Sequence, residues 1–368
     1  MIIQSIELNN FRNYENLQIS FDEGTNILFG DNAQGKTNIL EAAYLSGTTK
    51  SHKGSKDKEM IRFGTNEAHL RTMVLKNGKQ YQIDMHLKHN RSKGIAVNKI
   101  PMKKASELFG ILNIVFFSPE DLNIIKNGPS ERRHFLDAEL CQLDKIYLSD
   151  LSNYNKILNQ RNKLLKDMVY RPELSDTLPV WDMQLADIGK KIIRRREQFV
   201  KELNELVHEI HYRISGGREE LFLSYEPSVS ADLLEQELER VKPRDLKQCQ
   251  TSVGPHRDDL LFSIAGVDIR KFGSQGQQRT SALSLKLSEI ELVRKSIHDT
   301  PVLLLDDVLS ELDSNRQNYL LNSICDTQTI ITCTGLDEFI RNRFEINKVF
   351  EVISGQVFEK GQVIERQG

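Results

Sequence analysis

An α/β nucleotide-binding head, assembled from the two ends of the chain and interrupted by a helical arm, is what this 368-residue sequence predicts. Three observations predict it. A P-loop pattern, Gly30-Asp31-Asn32-Ala33-Gln34-Gly35-Lys36-Thr37, follows an apolar strand and precedes a helical pattern. A second apolar strand, ending in Asp306 and Asp307, stands about 270 residues downstream of Lys36, far beyond what one βαβ unit needs. Between the two, from about Pro129, the apolar period becomes that of long helices.

The elements follow in order. Residues 2–8, 17–21 and 26–29 read as short strands, the last running into Gly30, and a helix follows over 36–45. Residues 70–75 and 81–87 read as strands joined at Asn77-Gly78, the dipeptide best suited to a type I′ hairpin, and Tyr81, Ile83, Met85 and Leu87 alternate with polar residues. Another apolar strand, 113–117, ends at Ser118-Pro119. Tyr147, Leu151, Tyr154, Leu158 and Leu165 then carry one helical stripe, and Trp181 to Ile214 a second, with Pro172 and Pro179 marking the reversal between them. Such helices pack antiparallel, their stripes serving as core. β/α alternation resumes after Thr251: a strand at 260–264, a glycine turn at 273–276, a helix to 297, strand 302–305, helix 313–324 and strand 329–332. The expected divisions are residues 1–125 and 246–368 for the head and 126–245 for the arm.

Composition narrows the class. With 39% apolar and 28% charged residues, the chain has material for a large core and an appendage. No run approaches the roughly 18 to 20 apolar residues of a membrane span, and the N-terminus lacks a secretory pattern, so a cytoplasmic protein without a membrane partner is expected. Cys141, Cys249, Cys325 and Cys333 are scattered without metal-like spacing and read as reduced packing residues. A net charge of −2 argues nothing for nucleic acid, yet residues 50–104 hold fourteen Lys/Arg against four acids, a local +10 that leaves −12 elsewhere. Such a basic lobe attracts polyanions locally; the competing reading is a solvated sheet face.

The P-loop glycines let the backbone curl so that N–H groups point at phosphate oxygens, aided by the following helix N-terminus. Lys36 bridges the β and γ phosphates of ATP, and the Thr37 hydroxyl takes one Mg2+ position. Asp306 supplies the second metal anchor, and Asp307 orients or deprotonates the attacking water, with helix capping as the alternative for either. Gly273-Ser274-Gln275-Gly276-Gln277 opens a helix and offers exposed N–H groups as a second phosphate surface.

In this order, with Ser310-Glu311-Leu312-Asp313 behind the acidic strand, these motifs resemble the signature and D-loop arrangement of ABC-type ATPases. The resemblance sharpens with Asn10-Phe11-Arg12-Asn13-Tyr14, Asn32 to Asn38, Ser118-Pro119-Glu120-Asp121-Leu122, Arg132 to Asp137, Thr251 to Asp259 and Gly273 to Arg279. Together they look like the motif succession of the RecF family of bacterial recombinational-repair proteins, over nearly the whole chain.

That resemblance implies an ABC-type P-loop ATPase head, related to those of SMC and double-strand-break repair proteins, with a short helical arm. ATP would be held by Gly30 to Asn38 of one subunit and by Ser274, Gly276 and Gln277 of another, with Arg12 and Asn13 near the nucleotide. The implied protein is a slow, DNA-stimulated ATPase. Its ATP-gated homodimer would clamp duplex DNA at junctions of single-strand gaps. With RecR and RecO it would promote RecA loading, replication restart and the SOS response. Two departures, Asp307 where related enzymes carry Glu, and Cys333 or Thr334 near the usual switch histidine, predict slow turnover. Glu120 stands where related heads place a sensing glutamine. The nucleotide-binding subunit of a membrane transporter is the alternative, disfavoured by the Gly-Ser-Gln-Gly-Gln signature; a non-hydrolysing adaptor is the third.

Overall fold

The computed structural model describes residues 1–324, 326–335 and 346–360. Cys325 and residues 336–345 and 361–368 of the expected head lie outside them. The chain opens with β1 (Ile2–Phe11), β2 (Tyr14–Ser20), β3 (Thr25–Phe29), α1 (Lys36–Thr48), β4 (Glu67–Lys76), β5 (Lys79–Lys88), β6 (Arg91–Val97), β7 (Ile100–Pro101) and β8 (Ile114–Phe117). Then come α2 (Leu122–Lys126), α3 (Pro129–Leu143), α4 (Lys145–Asp167), α5 (Leu178–Ile214), β9 (Leu221–Glu226), α6 (Leu234–Gln248), β10 (Asp259–Ile264), β11 (Val267–Asp268), α7 (Ile269–Phe272) and α8 (Gln275–Ile297). Last are β12 (Val302–Asp306), α9 (Ser314–Ser323), β13 (Thr329–Cys333), β14 (Ile346–Ile353) and β15 (Gln356–Lys360). Two compact units result: Met1–Asp121 with Glu289–Gly368, and Leu122–Ser288.

The first unit holds two sheets. One is antiparallel, in the order β2-β1-β4-β5-β6-β7. The other runs β15-β14-β3-β13-β12-β8, parallel throughout except for β15 at its edge. Helix α1 touches β4 of the first and β8, β12 and β13 of the second. Contact with both sheets explains why its sequence, KTNILEAAYLSGT, shows no continuous polar face. Ile39, Leu40 and Leu45 are fully buried, each contributing on the order of 2 kcal/mol. The β4–β5 hairpin closes through Asn77 and Gly78 at φ 49° and 71°, the two positive values a type I′ turn requires.

In the second unit α4 and α5 run antiparallel, pairing Arg161 with Asp182 near one end and Tyr147 with Arg196 farther along. The 37 residues of α5 span about 55 Å. Pro179 lies inside the first turn of α5, where its missing N–H has no intrahelical partner to lose.

The expected boundary at 245/246 differs from this division: residues 246–288 group with the helices. The cause is β9, whose alternation over Leu221–Glu226 passes unnoticed among the helical stripes. It pairs antiparallel with β10, binding that strand into a small sheet of its own, β11-β10-β9, against which α5 packs.

Three fully buried arginines organise this unit. Arg132 grips Asp259 bidentately at 2.6 and 3.0 Å. Arg196 donates to Asp137 (2.7 Å), the Pro255 carbonyl (2.6 Å) and the Tyr147 hydroxyl (2.9 Å). Arg161 reaches Asp182, Asp245 and the Thr251 hydroxyl at 2.5, 2.8 and 2.9 Å. The motif blocks around Arg132 and Thr251 are therefore halves of one ionic interior. Burial raises the Asp182 carboxyl above the ordinary range despite Arg161 beside it. Removing one partner from such a network leaves a charge buried and unpaired, so Arg161→Ala should destabilise this unit by about 3–5 kcal/mol. Urea denaturation followed by α-helical circular dichroism measures it.

Candidate nucleotide site

The P-loop joins β3 to α1 in a conformation that side chains resist. Gly30 and Gly35 have φ of 146° and 116°. A Cβ on Gly35 would sit 2.5 Å from Asn13 Nδ2 and 2.7 Å from the Tyr14 hydroxyl; one on Gly30 would sit 2.4 Å from the Val352 carbonyl oxygen. Ala33 also adopts the left-handed region, at φ 64°. Lys36, almost fully buried, donates through Nζ to the carbonyls of Gly30 and Asp31 at 2.6 and 2.7 Å.

Because β3, β13 and β12 are adjacent and parallel, their C-terminal ends meet at one edge of the sheet. There the Thr37 hydroxyl donates to Asp306 Oδ1 at 2.8 Å, and Thr332 Oγ1 donates to the same oxygen at 2.7 Å. Asp307 follows with φ 53°, its N–H donating to the Thr332 carbonyl (3.2 Å) and hydroxyl oxygen (3.1 Å). Its carboxylate accepts from the Ser310 hydroxyl at 3.3 Å and, among the described residues, from no helix N–H; Asp313 accepts the first N–H groups of α9. These residues wall a cavity of about 440 Å³ with Asn32, Ala33, Gly35, Asn38, His52, Lys53, Ser118, Pro119 and Glu120. Two hard oxygen donors 2.8 Å apart, the Thr37 hydroxyl and the Asp306 carboxylate, suit Mg2+. The curled loop and its lysine suit a polyphosphate.

Arg12 does not belong to that wall. Its guanidinium holds the wholly buried Glu41 bidentately at 2.7 Å twice, and also reaches Ser55 and the Glu59 carbonyl. Burial pushes the Glu41 carboxyl up, but hydrogen bonds from Arg12 and Ser51 outweigh it and the net shift is downward. Arg12 thus anchors α1 to the β1–β2 turn. Asn13 instead braces the loop itself, donating to the Gln34 carbonyl at 3.0 Å and accepting from Asn38 at 2.8 Å.

Ser274, Gly276 and Gln277 belong to the second unit, at the N-terminus of α8. Ser274 Oγ accepts from the Gln277 N–H at 3.2 Å while Gln277 Oε1 accepts from the Ser274 N–H at 2.9 Å, a reciprocal capping box. Ser274 and Gly276 face solvent.

Thr332 and His52 escape sequence reasoning. Thr332 looks like any residue of a buried apolar strand, and His52 lies in an irregular segment amid lysines. Among those basic residues, Lys93 is tied to Asp57 at 2.7 Å and Arg71 to Asp84 at 2.7 Å, whereas Lys50, Lys53, Lys56 and Lys58 are exposed. Cys333 is buried in its strand, and Thr334 lines a separate cavity beside Gly30 and Asp31. Among the described residues no helix is long and apolar enough to cross a membrane.

Comparison with known proteins adds relatives. The family model described as RecF/RecN/SMC N terminal domain matches residues 2–356. The DNA replication and repair protein RecF of Agathobacter rectalis is 74% identical over 357 residues, covering 97% of this chain and 99% of that protein. That of Lachnospira eligens is 62% identical, with 97% and 99% covered. A solved structure of the recombination mediator protein RecF with ATP, of the RecFOR pathway, superposes with a TM-score of 0.92 at 38% identity, covering 98% of this chain and 97% of the other. An Smc head domain from Pyrococcus furiosus shares the fold, with a TM-score of 0.57 at 18% identity, covering 98% and 96%.

Gly35→Ala tests the loop. Its new Cβ meets Asn13 and Tyr14 at a φ that disfavours side chains. Affinity for a fluorescent ATP analogue should fall at least roughly tenfold, by titration, while the melting temperature moves only a few degrees.

Proposed function

Since this chain belongs to the RecF family of SMC-related DNA replication and repair proteins, we propose that it is an ATP-gated homodimer that clamps duplex DNA at the edges of single-strand gaps. The observation that carries this reading is the split of the phosphate-binding machinery. A P-loop closed by Asp306 lies in one unit. A capped, solvent-facing helix N-terminus at Ser274 lies in the other. A face that presents Ser274 and Gly276 outward suits the nucleotide of a second subunit. ATP then joins two copies, and binding rather than hydrolysis drives closure.

In the proposed chemistry Lys36 leaves its two carbonyl partners for the β and γ phosphates. Thr37 and Asp306 would hold Mg2+, which would neutralise phosphate charge. Asp307 orients the attacking water, and the shorter reach of Asp compared with Glu fits a slow enzyme whose hydrolysis is the release step, accelerated by DNA. Exposed Lys50, Lys53, Lys56 and Lys58 are the candidates for DNA phosphates. RecR is the proposed direct partner, with RecO and RecA acting downstream in gap repair, restart and the SOS response, in the cytoplasm. Membership of a repair family sets the transporter reading aside.

Sedimentation with and without Mg-ATP, repeated with gapped duplex, tests the proposal. Dimers should appear with ATP and bind the gapped DNA in a salt-sensitive manner; a monomer indifferent to both ends it. Lys36→Ala should lose nucleotide-dependent dimers. Ser274→Arg should bind ATP as a monomer without closing. Asp307→Asn should form dimers yet release phosphate at least about tenfold more slowly, by a phosphate-release assay.

A further inference from the structure

The irregular segment after α1 places an imidazole in the wall of the nucleotide cavity. The His52 ring stacks on Phe116, with centroids 4.1 Å apart and planes 26° from parallel, and meets Tyr44 edge-on at 5.9 Å. Phe116 lies on β8 and Tyr44 on α1, so two regular elements of the same unit fix the ring's position. It shares the wall with Asp306, Asp307, Ser118 and Lys53. Nδ1 is buried and has no hydrogen-bond partner among the described residues.

An aromatic residue would fill this slot as well if stacking were its purpose, and without a stranded polar atom. Burial lowers the imidazole pKa to about 4; Glu41 and Asp306 raise it, but Lys53 and Arg12 oppose them. The ring is therefore neutral at physiological pH and carries one N–H. A bare buried lone pair is tolerated better than an orphaned buried N–H, which places the proton on Nε2 and leaves Nδ1 without one. In a cavity that already holds the Lys36 ammonium, a neutral donor adds direction without another charge.

Cys333, buried at the end of β13, and Thr334, which lines another cavity, bring no imidazole to this wall. Resting on the nucleotide site proposed above, we infer that the Nε2–H of His52 positions the terminal phosphoryl end of the nucleotide, in the cavity it shares with Asp306, during hydrolysis. It acts on geometry and takes no proton from the attacking water.

The test uses the full chain. His52→Phe keeps the stack and removes the donor; His52→Gln keeps a neutral donor. For His52→Phe, kcat for phosphate release should fall at least roughly tenfold, while KM and the Kd for ATP stay within about threefold. His52→Gln should recover to within about threefold of the wild type. In parallel, long-range proton–nitrogen spectra of the wild type, with the His52 signal identified by its loss in His52→Gln, should show the Nε2–H tautomer. That signal should shift with Mg2+ and a non-hydrolysable triphosphate but not with Mg-ADP. Unchanged kcat in His52→Phe, a His52→Gln enzyme as slow as His52→Phe, or identical spectra with triphosphate and diphosphate would each overturn the inference. A wild-type protein that fails to bind Mg-ATP at all refutes instead the nucleotide site on which it rests.

Discussion

One carboxylate oxygen ties three elements of the first unit together. Asp306 Oδ1 receives the hydroxyls of Thr37 and Thr332, so a residue of β12 is fastened both to the first turn of α1 and to β13. Thr37 and Asp306 stand 269 positions apart in the chain, and no local propensity can bring them together. Only a sheet that interleaves strands from both ends does so, which is the order β14-β3-β13-β12-β8. The long separation of the two motifs is thus a topological requirement: the P-loop and the acid bonded to its threonine come from opposite ends of one chain.

Each unit, taken by itself, has an ionic interior. Glu41 in the first unit, held by the half-buried Arg12, and Arg132, Arg161 and Arg196 in the second, held by their aspartates, are buried charges bonded through most of their donors or acceptors. Buried pairs of this kind add little net stability over well-packed apolar side chains, but mispairing them is costly, which favours one arrangement of helices over close competitors. The motif blocks Arg132 to Asp137 and Thr251 to Asp259 acquire a role in this light. They are the fastenings of the helical unit.

What could be read from the sequence was what is encoded locally. The P-loop, the Asn77-Gly78 hairpin and the stripes of α4 and α5 each carry their period or turn chemistry within about 40 residues. Features defined by a distant partner stayed hidden. Strand β9 is six residues long and becomes a strand by pairing with β10, which shifted the boundary at residue 246. Arg12 sits beside the P-loop in the family pattern, yet its guanidinium turns to Glu41, a residue read as one more position on α1. His52 belongs to no periodic element at all, and only the packing of Phe116 and Tyr44 brings it to the cavity. The pairs Lys93–Asp57 and Arg71–Asp84 leave the local +10 of residues 50–104 unchanged, since both acids are already counted in it; they fix only which of its basic side chains are engaged.

The capping box at the start of α8 has a consequence for how firmly any acceptor can be held there. Of the four N–H groups that a helix leaves open at its start, those of Ser274 and Gln277 are closed off by each other's side chains. Gln275 and Gly276 are left to greet an incoming oxygen. Two donors make a latch more than a grip, so a single such contact would open readily. In the proposed homodimer two of them, engaged at once, would multiply their holding power, and losing either would free both.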